Sequence, residues 1–138
     1  MRILIVDDDF VCREQLTVLL LAYGECVVAA SGEEGLAKFE GAYQDARPFH
    51  LVTMDIDMPG LRGQEVVGRI RDFEQSQQSY KTGNESKILM ITSMTNPNDF
   101  FSSFRAGCEW YLPKPVTPEK LHEALAKLEN YREEVTAR

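Results

Sequence analysis

Short apolar runs alternate along this chain with longer segments of helical spacing, and this alternation limits the possible folds more than any other feature of the sequence. The pattern is typical of βα units wound on a parallel sheet. Each run is continuously apolar, as expected for a strand that is covered on both faces. The runs predict five strands, at residues 3–6, 27–30, 51–54, 88–91 and 110–112.

The segments between these runs predict five helices, because their apolar residues recur at helical spacing. They span residues 10–21, 32 to about 40, 63–73, 97–105, and 118 onward. Ser31 and Glu34 form a capping box at the start of the second helix. Right-handed crossovers between the strands then predict a three-layer α/β/α sandwich. The polar stretch 74–86 lacks periodicity, so we interpret it as a mobile surface loop.

Composition indicates one acidic domain without a disulfide framework. The 138 residues fit a single domain, which we expect to span 1–138. The 15 Lys and Arg against 22 Asp and Glu give a net charge of −7, which disfavours nucleic acid and anionic membranes as partners. Three cysteines without metal spacing, together with the lack of a signal-peptide pattern, indicate a cytoplasmic protein.

Chemically capable side chains follow four of the predicted strands. In open parallel sheets the carboxyl ends of the strands meet at one edge, where ligands bind. Taken singly, each group has an ordinary structural interpretation, such as a helix cap or a turn. Together they predict a functional site built from Asp7-Asp8-Asp9, Asp55-Ile56-Asp57, Thr92-Ser93 and Lys114-Pro115.

Several carboxylates at one edge require a compensating cation. Two of them about 4 Å apart repel by roughly 4 kcal/mol at an effective dielectric constant of about 20. Oxygen ligands select a hard metal, and Mg²⁺ fits best because it takes one or two carboxylates and completes its shell with water and phosphate oxygens. A metal ion, a carboxylate nucleophile, a hydroxyl donor and a lysine together suit transfer of a phosphoryl group to an aspartate.

In this order the motifs resemble those of the receiver domain of two-component response regulators, of the stand-alone chemotaxis type. The resemblance rests on Asp7-Asp8, on Asp55 followed by Met58-Pro59 and Gly63, on Thr92, and on Tyr111 three residues before Lys114-Pro115. It covers the chain from residue 2 to about 128 and leaves 129–138 as a helix extension or the start of a linker. It implies the flavodoxin-like arrangement, in which the parallel sheet has strand order 2-1-3-4-5.

The resemblance also implies that Asp55 accepts the phosphoryl group and that Mg²⁺ is the cofactor. Asp8 would bind the metal directly and Asp7 mainly through water. Asp57 would contribute its backbone carbonyl oxygen rather than its side chain, with Asp55 as a further ligand. Asp9 is interpreted as a helix cap or as a residue without a role in the site.

A conformational switch is the second implication of the resemblance. Lys114 would pair with the carboxylate of Asp55 and later with its phosphate, and the bond between Lys114 and Pro115 is expected to be cis. Thr92 would donate its hydroxyl to the phosphate, and Tyr111 would fill the space that Thr92 vacates. The surface around the fourth helix and the fifth strand would change as a result. Trp110 is interpreted either as an exposed docking residue on that face or as core under the fifth helix.

The partners implied by the resemblance are a sensor histidine kinase or a histidine phosphotransfer protein as phosphoryl donor, and a downstream effector protein as target. A homodimer through the fourth helix and the fifth strand is an additional assembly that the resemblance allows. On this interpretation the chain is not an enzyme in the usual sense, since it catalyses only its own phosphorylation and dephosphorylation.

Two other functions remain as alternatives. A receiver-shaped interaction module that is never phosphorylated would be favoured by the loss of a site residue, but the chain retains Asp7, Asp8, Asp55, Thr92 and Lys114. A haloacid-dehalogenase-type phosphohydrolase also uses an aspartate nucleophile in a DxD motif, which Asp55-Ile56-Asp57 resembles. In that family, however, the DxD motif comes first in the chain and the acidic pair comes late. The order of motifs here disfavours the hydrolase.

The resemblance implies that Met94, two residues after Thr92, would lie near the phosphate, at a position where a polar side chain would help to orient the hydrolytic water. An apolar side chain should do this poorly, so we predict that the aspartyl phosphate is long-lived. We expect the Met94→Asn variant to lose its phosphoryl group faster than the wild type, measured by intact mass over time after the donor is removed. An unchanged half-life would contradict this prediction.

Overall fold

A computed structural model describes residues 1–77, 85–93 and 97–136. Strands and helices alternate in chain order: β1 Arg2–Val6, α1 Phe10–Leu20, β2 Glu25–Ala29, α2 Gly32–Gln44, β3 Leu51–Asp55, α3 Gly63–Ser76, β4 Lys87–Thr92, α4 Pro97–Ala106, β5 Trp110–Pro113 and α5 Pro118–Thr136. The alternation predicted from the apolar runs is therefore confirmed. Met94 and residues 78–84 of the predicted loop lie outside the described residues.

The strands form one parallel sheet in the order β2-β1-β3-β4-β5. All five residues of the central strand, Leu51–Asp55, are buried, as expected for a strand covered on both faces. Asp55 at its end is in register with Ile91 of β4, so the ends of β3 and β4 lie side by side. The predicted flavodoxin-like strand order is confirmed.

Helices cover both faces of the sheet, which gives the predicted three-layer sandwich. On one face α2, α3 and α4 contribute Phe39, Ile70 and Phe104 to an apolar cluster with the strands. On the other face α1 and α5 contribute Leu20 and Leu121 to a second cluster. None of the helices in the described ranges combines the length and the apolar character that a membrane span requires.

The second helix begins as predicted but ends later. Ser31 Oγ accepts a hydrogen bond from the Glu34 backbone N–H at 3.1 Å, and Glu34 Oε2 accepts one from the Ala30 N–H at 3.0 Å, so the capping box is confirmed. The helix continues to Gln44, beyond the predicted end near residue 40. The chain leaves it through Ala46, whose φ of 59° lies in the left-handed region that cannot continue a right-handed helix.

The prediction of a mobile loop over 74–86 is wrong at both ends. α3 runs through Glu74 to Ser76, and the side chain of Glu74 is buried. Ser86 is also buried, and its backbone N–H donates to Glu74 Oε2 at 2.7 Å. The reason is Arg71, whose guanidinium lies 2.6 Å from Glu74 Oε1. Glu74, which its charge predicts to be solvent-exposed, is thus buried with an ion pair and a hydrogen bond.

The two aromatic residues of β5 pack on opposite faces of the sheet. Trp110 packs partly buried against the cluster under α5, and Lys127 Nζ lies 5.8 Å from the centroid of its ring. Tyr111 packs against the other cluster, with its ring centroid 6.2 Å from that of Phe104. Of the two interpretations of Trp110, packing under α5 is the one that the structure supports.

Candidate functional site

The end of β1 presents two carboxylates of different exposure. Asp7 is fully buried; its N–H donates to the Ala29 carbonyl at 3.1 Å, and its Oδ1 accepts from the Asp9 N–H at 2.9 Å. Asp8 is exposed. Asp9 accepts a hydrogen bond from the Val11 N–H at 2.9 Å at the start of α1, which confirms its interpretation as a helix cap.

Sequence reasoning missed Arg13, which supports this end of β1 from the first turn of α1. Its Nη1 donates to the backbone carbonyl of Asp7 at 2.8 Å, and the guanidinium carbon lies 5.7 Å from the centroid of the Phe10 ring. The arginine therefore holds the main chain of the acidic pair in place. The signal that could have identified it is its spacing of one helical turn from the Asp9 cap.

The end of β3 presents the buried carboxylate of Asp55, whose Oδ1 accepts a hydrogen bond from the Asp57 N–H at 3.2 Å. α3 begins so close to this strand end that a Cβ on Gly63 would lie 2.3 Å from the Asp55 carbonyl oxygen. The side chain of Asp57 is occupied elsewhere. Its Oδ1 lies 3.8 Å from Nη2 of Arg62, and its Oδ2 accepts a hydrogen bond from the hydroxyl of Ser93 at 3.4 Å.

Three carboxylates converge between these two strand ends. Asp7, Asp8 and Asp55 each offer an oxygen, and the three oxygens lie within 4.8 Å of one another. Oδ2 of Asp7 is buried and accepts no hydrogen bond from the described part of the chain. Buried carboxylate oxygens without donors are costly unless a cation compensates them. Hard oxygen donors of this kind suit Mg²⁺, so the residues present fit a magnesium site.

Lys114 brings a protein cation to the same edge. Its Nζ lies 3.5 Å from Asp7 Oδ2 and 3.6 Å from Asp55 Oδ1, distances of an ion pair with both carboxylates. Its backbone N–H donates to the Thr92 carbonyl at 2.7 Å, which ties the end of β5 to the end of β4. The peptide bond to Pro115 is cis, as expected.

Burial and mutual charge shift the titration of this cluster. Burial, and next to it the charge of Asp7, raise the pKa of Asp55 to about 7, although Lys114 opposes the shift. Burial alone would lower the pKa of Lys114, but the carboxylates of Asp55 and Asp7 outweigh it and raise that pKa above its ordinary value. The lysine therefore stays charged while Asp55 titrates near neutral pH.

Thr92 and Tyr111 lie on adjacent strands and on the same face of the sheet. Thr92 is the buried last residue of β4. Tyr111 of β5 is in register with Met90, and Met90 shares a face with Thr92 because the two are separated by two residues. Of the predicted site residues, the acidic cluster and Lys114 thus meet at one edge. Tyr111 instead packs in the apolar cluster beside them.

Comparison of sequences identifies relatives. A family model described as the response regulator receiver domain matches residues 3–126. The chain is 35% identical over 121 residues to the response regulator MprA of Mycolicibacterium vanbaalenii, a match that covers 87% of this chain and 46% of MprA. It is 34% identical over 133 residues to a protein-glutamate methylesterase/protein-glutamine glutaminase of a Nocardioides species, covering 90% of this chain and 33% of that protein. The chain thus spans about half the length of the first relative and a third of the second.

Comparison of structures gives a match over nearly the whole chain. The chemotaxis protein CheY4 of Vibrio cholerae superposes with a TM-score of 0.75 at 34% sequence identity. The superposition covers 92% of this chain and 97% of CheY4.

Proposed function

This chain belongs to the response regulator receiver family of two-component signalling, and on that basis we propose that it accepts a phosphoryl group on Asp55 from a phosphohistidine. A sensor histidine kinase or a histidine phosphotransfer protein is the donor. The observation that carries the proposal is the buried Asp55 carboxylate, which lies beside the carboxylates of Asp7 and Asp8 and 3.6 Å from the ammonium of Lys114. A carboxylate in this setting is both a nucleophile and a group that needs a cation beside it.

In the proposed reaction an oxygen of Asp55 forms a bond to phosphorus while the N–P bond of the phosphohistidine breaks. The imidazole keeps the electron pair of that bond and then takes a proton from solvent. Lys114 neutralises charge on the phosphoryl oxygens from its position between two carboxylates. Mg²⁺, when bound by Asp7, Asp8, Asp55 and the carbonyl of Asp57, supplies further positive charge at the phosphoryl oxygens.

Phosphorylation of Asp55 then drives a conformational change that reaches the surface. Thr92 donates its hydroxyl to the new phosphate, and the ring of Tyr111 moves into the space that Thr92 leaves. The common face of Thr92 and Tyr111 on adjacent strands supports this step. The altered face of α4 and β5 then binds a downstream effector protein or a second copy of the chain.

We propose that residues 1–138 act together as one receiver in the cytoplasm, with 129–138 as an extension of its last helix or the start of a linker. The catalytic activity in the name of the Nocardioides relative belongs to that longer protein, of which this chain matches 33%. For this chain we propose signalling by reversible phosphorylation, without turnover of another substrate.

The proposal is tested by incubating the protein with acetyl phosphate and Mg²⁺ and measuring its intact mass. We expect one added phosphoryl group in the wild type and none in the Asp55→Asn variant, because the amide lacks the nucleophilic oxygen. The matched control is Asp57→Asn, which changes the neighbouring carboxylate but keeps its backbone carbonyl, and it should still accept one phosphoryl group. EDTA should prevent the addition in every case.

Other outcomes select the alternatives. A wild-type protein that gains no mass with or without Mg²⁺ would identify an interaction module that is not phosphorylated. Continuous release of inorganic phosphate over many turnovers would instead favour the phosphohydrolase. A phosphoryl group that persists in Asp55→Asn would move the acceptor to another residue.

A further inference from the structure

A buried ionic cluster lies away from the acidic edge. The guanidinium of Arg71 on α3 contacts two carboxylates: its Nη1 lies 2.6 Å from Glu74 Oε1, and its Nη2 lies 2.6 Å from Glu109 Oε1. The side chain of Glu74 is 3% exposed and that of Glu109 is 13% exposed. We call Arg71, Glu74 and Glu109 the Arg71 cluster. The proposed phosphorylation chemistry uses none of its members.

The Arg71 cluster also bonds to the backbone of two other segments, the start of β4 and the connection between α4 and β5. Arg71 donates from Nε to the Gly107 carbonyl at 3.0 Å and from Nη1 to the Ser86 carbonyl at 2.8 Å. Glu109 Oε2 accepts from the Ile88 N–H of β4 at 2.6 Å. Such charge-assisted hydrogen bonds are roughly twice as strong as neutral ones. They join α3, the start of β4 and the connection between α4 and β5 into one unit.

The end of α4 is packed directly against this arginine. Gly107 follows the last residue of α4 and has a φ of +121°, and a Cβ placed there would lie 2.8 Å from Cγ of Arg71. Any side chain at this position would collide with the arginine, because the clash already involves its Cβ, whose position does not depend on the rotamer. The backbone at the end of α4 is therefore held by both packing and hydrogen bonding.

The beginning of α4 follows closely after Thr92, the residue that moves in the proposed switch. Its first residue, Pro97, comes five positions after Thr92, the buried end of β4. Between the two ends, Phe104 contacts the ring of Tyr111 at a centroid separation of 6.2 Å. One end of α4 thus follows the residue that the proposed switch displaces, and the other end is fixed to the Arg71 cluster.

We propose that Arg71 is a positioning residue for the switch: it fixes the Gly107 end of α4, so that phosphorylation moves the helix about that end. The inference rests on the proposed function, since the movement begins with Thr92 and the phosphate on Asp55. A helix that turns about one fixed end exposes a defined new surface at its other end. A helix free at both ends would shift as a whole and give no such definition.

Amide hydrogen exchange along α4 tests this inference, measured with and without acetyl phosphate in the presence of Mg²⁺. In the wild type we expect phosphorylation to change exchange by about fivefold or more over residues 97–101, and by less than about twofold over 105–109. In Arg71→Lys, which keeps the cation but loses the planar fork of donors, residues 105–109 should change by about as much as 97–101. Arg69→Met, an exposed change on the same helix, should keep the wild-type profile.

A second variant guards against a folding defect. In the triple variant Arg71→Met, Glu74→Gln, Glu109→Gln, the amide oxygens can still accept from the Ser86 and Ile88 N–H groups. As in Arg71→Lys, we expect the exchange rates at the two ends of α4 to change by similar amounts. Intact mass is read on the same samples. Two results would overturn the inference alone. One is a phosphorylated wild type in which hydrogen exchange changes equally along α4, and the other is an Arg71 variant in which exchange still changes much more at 97–101 than at 105–109. Absence of the adduct in the wild type would overturn the proposed function and this inference with it.

Discussion

Replacing Arg71 by methionine is expected to lower the free energy of unfolding by about 3–5 kcal/mol, because it leaves two buried carboxylates without their cation. Burial already raises the pKa of Glu74 and of Glu109 above the ordinary value, against the opposing charge of Arg71. Without the arginine, the carbonyls of Ser86 and Gly107 also lose their donor. Urea denaturation at neutral pH, with the wild type in parallel, measures the loss.

The matched control is Arg69→Met, which removes the same charge from an exposed position of the same helix. It should change the free energy of unfolding by less than about 0.5 kcal/mol. Adding Glu74→Gln and Glu109→Gln to the Arg71 variant should recover part of the loss, because neutral amides cost less to bury than unpaired carboxylates. Equal stability of Arg71→Met and Arg69→Met would show that the cluster contributes nothing.

Exchanging Asp55 for asparagine is expected to stabilise the metal-free protein at pH 8 by about 2–4 kcal/mol, a gain that disappears on acidification. The shift of the pKa of Asp55 from 3.8 to about 7 sets the upper figure, since each pKa unit corresponds to about 1.4 kcal/mol. The pairing with Lys114 is already contained in that figure, and the lower figure allows for relaxation of the protein and entry of water around the buried charge. Between pH 4 and 7 the folded protein keeps a proton that the unfolded chain releases, so this group makes stability fall as the pH rises.

Denaturation of wild type and Asp55→Asn in EDTA at pH 5 and at pH 8 measures this difference. The gain should be largest at pH 8 and much smaller at pH 5, and Mg²⁺ at pH 8 should stabilise the wild type more than the variant. The matched control Asp57→Asn changes an exposed carboxylate and should alter the free energy of unfolding by less than about 0.5 kcal/mol. A gain of equal size at both pH values would mean that burial of the Asp55 charge is not its cause.

Elements with local signals could be predicted from the sequence. The strand runs were predicted because parallel strands buried on both faces are continuously apolar, as all five residues of β3 are. The start of α2 was predicted from Ser31 and Glu34, whose capping contacts lie within four residues. Its end was not, because the chain reverses through Ala46, a residue type that carries no signal for a left-handed conformation.

The acidic edge could be predicted because strand direction alone brings the residues together. Asp7 and Asp55 each follow a parallel strand, so their convergence needs no knowledge of individual contacts. The Arg71 cluster has no such rule behind it. Arg71 and Glu109 are 38 positions apart, and only the completed packing of α3 against the connection between α4 and β5 shows that they pair. The sequence alone therefore predicts Glu74 as part of a mobile surface loop.

Trp110 is the only tryptophan in the chain. Its indole lies 5.7 Å from the Tyr111 ring, centroid to centroid, and 5.8 Å from the ammonium of Lys127. With excitation that only the indole absorbs, the emission of the unlabelled protein therefore comes from one residue, and the neighbouring cation and phenol ring influence its wavelength and yield. Because the indole contacts Tyr111, stopped-flow mixing with acetyl phosphate and Mg²⁺ is expected to report the proposed movement of that ring. A lag between the gain in mass and the change in emission would give the time between phosphorylation and the rearrangement around Tyr111.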